Sequence, residues 1–187
     1  MKSHTTRETV QIHDREFKLM ITPEELQERT IAMAHEISND LASADPLVLV
    51  VLNGAFIFAA DLVREMSFDP EMQFAKLRSY HGLKSTGSVR MQLPYDDDDI
   101  PNRHILIVED IIESGLTLHS LCEKLMNHGA ASVRLATLLL KPNCLNTELK
   151  IDYVGFEIPD KFVIGYGMDY NERGRNLKGI YRIEDTK

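Results

Sequence analysis

Apolar residues recur along the chain in two rhythms. Continuous runs of strand length occur at Leu47-Val48-Leu49-Val50-Val51-Leu52 and at His104-Ile105-Leu106-Ile107-Val108. Runs this short and this uniformly apolar, the first bounded by Pro46 and Gly54, read as strands buried on both faces of a parallel sheet. Elsewhere the spacing is helical. Leu26, Thr30, Ala34, Ile37 and Leu41 share one face after Thr22-Pro23-Glu24-Glu25, a helix start with Thr22 as N-cap, Pro23 in the first turn and Glu25 closing a capping box. Ser43–Pro46 breaks that helix. Ala55–Met66 reads as an apolar helix with Phe56, Ala59, Ala60 and Val63 facing inward. Leu118, Leu121, Cys122 and Leu125 mark a third helix, with Gly129 where a C′ glycine would stop it.

Shorter β-like pieces complete the pattern. Thr9–Ile12 and Phe17–Met20 flank a His13-Asp14-Arg15 turn, and Phe74–Ser79, Ser132–Leu140, Ile151–Phe156 and Ile180–Ile183 read as further strands. Strands alternating with helices imply an α/β fold, a mostly parallel sheet with helices on both faces. The N-terminal pieces and the turn-rich, aromatic segment 157–175 do not fit that alternation. They predict a small hood subdomain, about 8–20 and 157–183, on a core of about 22–156. Tyr80–Asn102 is long, polar and rich in Gly and Pro, which predicts a flexible loop of about 80–102. Within it Val89–Leu93 reads as a hairpin arm. Asp96–Asp99 reads as a solvated turn in preference to a metal site.

Composition narrows the class. At 187 residues the chain makes one domain of ordinary size. Its 43% hydrophobic and 27% charged residues are near a soluble average. A formal net charge of −8 argues against a nucleic-acid partner, whose footprint would be basic. No apolar run is long enough to span a bilayer, so no membrane is implied. The N-terminal residues lack the apolar centre of a signal peptide. Two cysteines, Cys122 and Cys144, offer no disulfide framework and no CxxC pair. The expectation is a cytoplasmic protein.

The chemistry concentrates in His104–Thr117. A buried strand runs into two adjacent acids, Glu109 and Asp110, then into Glu113-Ser114-Gly115-Leu116-Thr117 and a helix. In an open α/β sheet, ligands bind at the carboxyl ends of strands, and helix N-termini attract phosphate. Backbone N–H groups and two hydroxyls at 113–117 suit a phosphomonoester. Glu109 and Asp110 suit vicinal hydroxyls or Mg²⁺, against the plainer reading of two surface acids. Neither a Walker A lysine nor a GxGxxG fingerprint is present. Lys141, Phe162, Asp169 and Arg175 could serve a ligand. Spacing alone favours a solvated Lys and a core Phe as the commoner cases, and leaves a turn acid and a free Arg open.

Taken together, these residues resemble the type I phosphoribosyltransferases, specifically the hypoxanthine and hypoxanthine-guanine branch. The match runs through VEDIIESGLT, the Leu52-Asn53-Gly54 turn, the Ser79-Tyr80 pair opening the long loop, Lys141 after the next strand, and DYVGFEIPDKFVIGYGMDYNE from Asp152 to Glu172. It spans about 8–183. The resemblance implies a Rossmann-like sheet with a hood, and a purine salvage reaction. 5-Phosphoribosyl pyrophosphate (PRPP) plus hypoxanthine or guanine would give IMP or GMP plus pyrophosphate, with Mg²⁺ as cofactor. It also implies roles. Glu109 and Asp110 would hold the ribose hydroxyls, directly or through Mg²⁺. Ser114, Gly115, Leu116 and Thr117 would cradle the 5-phosphate. Leu52, Asn53, Gly54, Ser79, Tyr80 and Arg175 would meet pyrophosphate, with a non-proline cis peptide at the Leu52-Asn53-Gly54 turn. Lys141 would meet the purine 6-oxo group, Phe162 and Val163 the base, and Asp169 a second Mg²⁺ beside it. Glu113 would take a proton as N9 attacks. A homo-oligomer, dimer or tetramer, is the family habit.

Two positions depart from the family pattern. Glu113 stands where an Asp is usual, and Asn53 stands where Lys or Arg is common. A xanthine-preferring enzyme, and a nucleotide-sensing regulator of the same fold without turnover, are the alternatives.

Overall fold

The computed structural model describes residues 7–78, 90–92 and 100–184. Ser79, Tyr80, Asp96–Asp99 and most of the loop expected over 80–102 lie outside the described residues.

The larger sheet contains β3 (Leu47–Leu52), β4 (Glu71–Arg78), β5 (Arg90–Gln92), β6 (His104–Ile112), β7 (Ser132–Leu140) and β8 (Tyr153–Glu157), in the order β5-β4-β3-β6-β7-β8. All neighbours run parallel except β5, which pairs antiparallel with β4. A second sheet joins β1 (Thr9–Ile12), β2 (Arg15–Ile21), β10 (Ile180–Ile183) and β9 (Val163–Ile164), all antiparallel.

Three helices cover the parallel sheet. α1 (Pro23–Leu41) and α2 (Phe56–Arg64) pack on one face, where Leu26, Ile37, Phe58 and Leu62 meet Val48, Val50, Leu106 and Val108. α3 (Leu116–Asn127) packs on the other, where Leu121 and Leu125 meet Leu49, Ile105 and Ile107. Burial on both faces is why β3 and the Ile105–Val108 part of β6 are apolar at every position rather than at alternate ones. Phe17, Ile164 and Tyr181 form a separate small core under the second sheet.

The Thr22 cap forms as expected: its hydroxyl accepts from the Glu25 N–H, and the Glu25 carboxylate accepts from the Thr22 N–H. Other elements shift. α2 buries Phe58, Ala59 and Leu62, while Phe56 and Ala60 face outward and Val63 is half-buried. Its sequence is apolar nearly all round, so periodicity does not fix its phase. β4 begins at Glu71, three residues before the expected Phe74, because it pairs with β3 from Leu47 onward. β8 begins at Tyr153 rather than Ile151.

Most consequential is β6. The strand continues through Glu109 and Asp110 to Ile112, so the two acids lie in extended strand and not in a turn after it. Its pairing with β3 ends at Val108, but its pairing with β7 runs on to Ile112 opposite Leu140. β7 holds β6 extended past the point where β3 leaves it.

Candidate active site

That unequal pairing opens a step at the carboxyl edge of the sheet, and the candidate residues collect there. A cavity of about 470 Å³ is lined by Leu52, Asn53, Gly54, Glu109, Asp110, Glu113, Ser114, Gly115, Thr117, Phe162, Val163, Asp169 and Arg175. Its size suits a small-molecule ligand. Met168 and Leu118, which the sequence did not single out, also line it.

On one wall β3 turns into α2 through Asn53 and Gly54, and the Leu52–Asn53 peptide bond is cis. Gly54 is required by what lies against it. A Cβ there would sit 1.6 Å from the Asp110 Oδ2, so the carboxylate fills the space the glycine leaves. Neither Glu109 nor Asp110 has an ion-pair partner among the described residues. Burial pushes the Glu109 carboxyl well above the usual range, and the adjacent Asp110 charge adds to the push. Two neighbouring acids without a counter-charge favour a cation or hydroxyl donors. Hard oxygen ligands suit Mg²⁺, which is commonly held by one or two carboxylates with substrate phosphates completing the shell. No cluster of three or more potentially ligating side chains is present among the described residues.

The far wall is the start of α3. Gly115 is its N-cap at φ 73°, and no side chain caps it. The first intrahelical bond is from the His119 N–H to the Gly115 carbonyl, 2.8 Å. The N–H groups of residues 115–118 therefore lack intrahelical acceptors, and Gly115 and Thr117 line the cavity. Leu116 is exposed. The turn is braced from behind: the Asn146 N–H bonds the Ser114 carbonyl, and a Cβ on Gly115 would crowd Thr147, Leu145 and Leu149.

Lys141, at the end of β7, is 4% exposed. A solvated lysine is therefore excluded. Its ammonium meets the Glu113 carboxylate and lies 3.5 Å from Asp160 Oδ1. Glu113, a methylene longer than Asp, reaches across from β6 to this cation. Asp160, which no sequence signal marked, is the second acid of the group. Phe162 is 46% exposed, against the core reading. Its ring is edge-on to Tyr170 at 5.8 Å and tilted on Phe17 at 6.4 Å, and Val163 beside it is buried in β9. Aromatic neighbours fix the ring while part of it stays open, which suits a planar ligand.

Asp169 and Arg175 form a third group. Arg175 Nη2 lies 2.7 Å from Asp169 Oδ1, and its Nη1 donates to the Gly167 carbonyl at 2.8 Å. Asp169 Oδ2 accepts from the Glu172 N–H. Arg175 is thus held in place and neither lies free in solvent nor remains the isolated charge the sequence allowed. The structure describes no side chain for the Ser79-Tyr80 pair.

Comparisons with known proteins agree in one direction. A model of the family described as Phosphoribosyl transferase domain matches residues 22–171. The hypoxanthine-guanine phosphoribosyltransferase of Bacillus subtilis is 42% identical over 169 residues, covering 90% of this chain and 93% of that protein. The enzyme of the same name from Mycobacterium tuberculosis is 37% identical over 187 residues, covering 96% and 93%. A crystal structure of a hypoxanthine-guanine phosphoribosyltransferase from Bacillus anthracis, with HEPES in its active site, superposes with a TM-score of 0.83 at 38% identity. It covers 89% of this chain and 98% of that one.

Proposed function

The chain belongs to the phosphoribosyl transferase family, and on that premise we propose that it transfers the 5-phosphoribosyl group of PRPP to N9 of hypoxanthine or guanine. The products are IMP or GMP and pyrophosphate, a purine salvage step in the cytoplasm. The observation that carries this reading is that one cavity brings together the half-open Phe162 ring, Glu113, which holds the buried Lys141, and the uncapped start of α3. We read the Glu113 and Phe162 side of this cavity as the site for a 6-oxo base and the start of α3 as the site for a phosphate.

The roles follow from position. The free N–H groups at the start of α3, with Ser114 and Thr117, bind the 5-phosphate through hydrogen bonds and the helix dipole. Glu109 and Asp110 orient the ribose hydroxyls. Lys141 donates to the 6-oxo group, Phe162 stacks on the base, and the Val163 backbone meets its edge. Asn53, Gly54 and Arg175 receive pyrophosphate, joined by Ser79 and Tyr80 from the long loop. Glu109 and Asp110 are the residues that would hold one Mg²⁺, and Asp169 would help hold a second. When bound, the metal would supply charge to the departing pyrophosphate. Leaving-group departure builds an oxocarbenium-like centre at C1, which the Asp110 and Glu109 side of the cavity stabilises. Glu113 accepts the proton from the base as N9 attacks, and must part from Lys141 to do so. The organisation proposed is one domain: a core of about 22–156, a hood of about 8–20 and 157–183, and a loop over 80–102. A homo-oligomer is proposed on family grounds.

Mixing the protein with PRPP, Mg²⁺ and each of hypoxanthine, guanine and xanthine tests this by absorbance. Turnover with the first two supports the reading. Xanthine alone would shift the substrate, and no turnover with any base would favour a sensing role. Glu113→Gln should lower kcat by about 10²-fold or more if Glu113 is the base. Undiminished turnover would remove Glu113 from that role.

A further inference from the structure

We propose that Tyr166 and Asp61 form a positioning pair that sets the pyrophosphate side of the site. This rests on the reading that Gly54 and Arg175 receive pyrophosphate.

Tyr166 sits at the tip of a tight hairpin closed by mutual backbone bonds between Gly165 and Met168, 3.0 Å each way. Its φ is 48°, between Gly165 at 102° and Gly167 at 108°. Three successive residues in the left-handed region would favour three glycines, since a Cβ is strained there. The middle one carries a large side chain, and its hydroxyl reaches out of the hairpin to donate to Asp61 Oδ2 on α2 at 2.6 Å. Asp61's other oxygen is 3.5 Å from Arg64. A buried Tyr usually finds such a partner, but here the bond also ties the hairpin, whose Met168 lines the cavity, to the helix that begins just after Gly54.

The next residue shows what the bond holds. A Cβ on Gly167 would lie 2.0 Å from the Gly54 carbonyl oxygen, so the two backbones touch. The Gly167 carbonyl accepts from Arg175, which pairs with Asp169. Gly54 in turn lies against the Asp110 carboxylate. One end of α2 thus begins beside Gly54, and a later turn is tied through Asp61 to the hairpin that presses on Gly54. The tie closes a small ring of contacts whose members are the Gly54 turn and the Arg175 guanidinium. On the other side of the hairpin is a second cavity of about 430 Å³, lined by Thr30, Ile57, Asp61, Tyr166 and Leu177. The Tyr166 N–H also bonds the Leu177 carbonyl at 2.8 Å and the Gly167 N–H the Arg175 carbonyl at 3.0 Å, so the hydroxyl bond adds to these a tie from the hairpin to α2.

A matched control exists in the same molecule. The Tyr153 hydroxyl donates to Asp40 at 2.9 Å, joining β8 to α1. It is the same chemistry between other elements; no residue of β8 or α1 lines the site cavity, whereas Met168 of the Tyr166 hairpin does.

The test compares Tyr166→Phe, Asp61→Ala, Asp61→Asn, the double variant Tyr166→Phe/Asp61→Ala, and Tyr153→Phe, all in the full chain. Tyr166→Phe and Asp61→Ala should each raise the KM for PRPP about tenfold, with kcat and the purine KM within twofold. Combined they should do no more than either alone. Asp61→Asn keeps an acceptor oxygen and should stay near wild type. Tyr153→Phe should lower the Tm by a similar amount and leave both KM values unchanged. Calorimetric titration with pyrophosphate and Mg²⁺ reads the same loss without turnover, so an inactive wild type would count against the proposed reaction and not against the pair. The pair is overturned if Tyr166→Phe keeps the wild-type affinity for PRPP and pyrophosphate. It is also overturned if Tyr153→Phe weakens them equally, since that would be a general loss of stability.

Discussion

The chain starts two of its helices in opposite ways. α1 begins fully served: Thr22 caps it, Glu25 returns the bond, Pro23 removes one orphan N–H, and Glu24 and Glu25 put negative charge in the first turn. α3 begins bare. Gly115 is its N-cap, no side chain accepts from its first N–H groups, and its first turn carries no acid. Both helices expose the same orphan donors and the same positive dipole end. At α1 the Thr22 and Glu25 N–H groups are satisfied by the protein itself, away from the site cavity. At α3 the orphan donors open onto a cavity beside Glu109 and Asp110. A missing cap at a cavity is informative because the same chain builds a complete cap where nothing needs to bind.

Giving α3 the acid that α1 has should have the largest effect. Leu116 is exposed in the first turn, so Leu116→Glu costs little packing. The free protein should melt slightly higher, since an acid at a helix N-terminus contributes about 0.3–1 kcal/mol. Binding of the phosphate should suffer far more. Two like charges at contact distance near a surface interact by roughly 4 kcal/mol, and salt screens part of it, so the KM for PRPP should rise about 10²-fold. An unchanged KM would mean that the phosphate does not sit at the start of α3.

The next test supplies the missing cap from solution. PRPP with Mg²⁺ at about 100 times its Kd should stabilise the wild type by roughly 2.7 kcal/mol. For a chain of this size that is a rise in Tm of about 5–10 °C at roughly 2–4 °C per kcal/mol. Leu116→Glu at the same concentration should show only a small fraction of that shift. Equal shifts in the two proteins would separate ligand binding from the helix terminus.

How much of this was legible beforehand differs by element. The Thr22 cap, β7 and β10 were readable because each rests on local rules: a capping box, and apolar runs bounded by clear breakers. α2 was found with its inward face rotated, Ala59 right but Phe56 and Ala60 wrong, since FIFAADLV is apolar almost all round and only contact with β3 and α1 selects Phe58 and Leu62. β6 outran its expected end because Glu109 and Asp110 have low strand preference. Pairing with β7 overrides that preference. At the site, the acids, the glycine turn and the start of α3 were visible as a motif. The burial of Lys141 between Glu113 and Asp160 was not, since those three come from separate segments and meet only in space. Tyr166 escaped notice for a related reason: an aromatic between two glycines looks like a turn, and its partner Asp61 is 105 residues away.

The smallest expected effect is at the other end of the comparison. Thr22→Ala removes the hydroxyl that accepts from the Glu25 N–H at 3.2 Å, but leaves the Thr22 N–H bonded to Glu25 Oε2 at 2.8 Å. Losing a threonine cap costs about 1 kcal/mol, so the Tm should fall by roughly 2–4 °C. Neither Thr22 nor Glu25 lines the site cavity, so kcat/KM should stay within twofold. The acid dependence sharpens the point. Bonds to Thr22, first from its backbone N–H and then from its hydroxyl, hold the Glu25 carboxyl below its usual range. That contribution to stability is present above the unfolded value of about 4.3 and is lost as pH falls through the folded one. Thr22→Ala keeps the larger of the two causes, so most of this acid dependence should survive. Glu25→Gln should abolish it. If Thr22→Ala instead weakened PRPP binding, the two helix starts would be coupled through the fold. The bare start of α3 would then no longer stand apart from the capped start of α1.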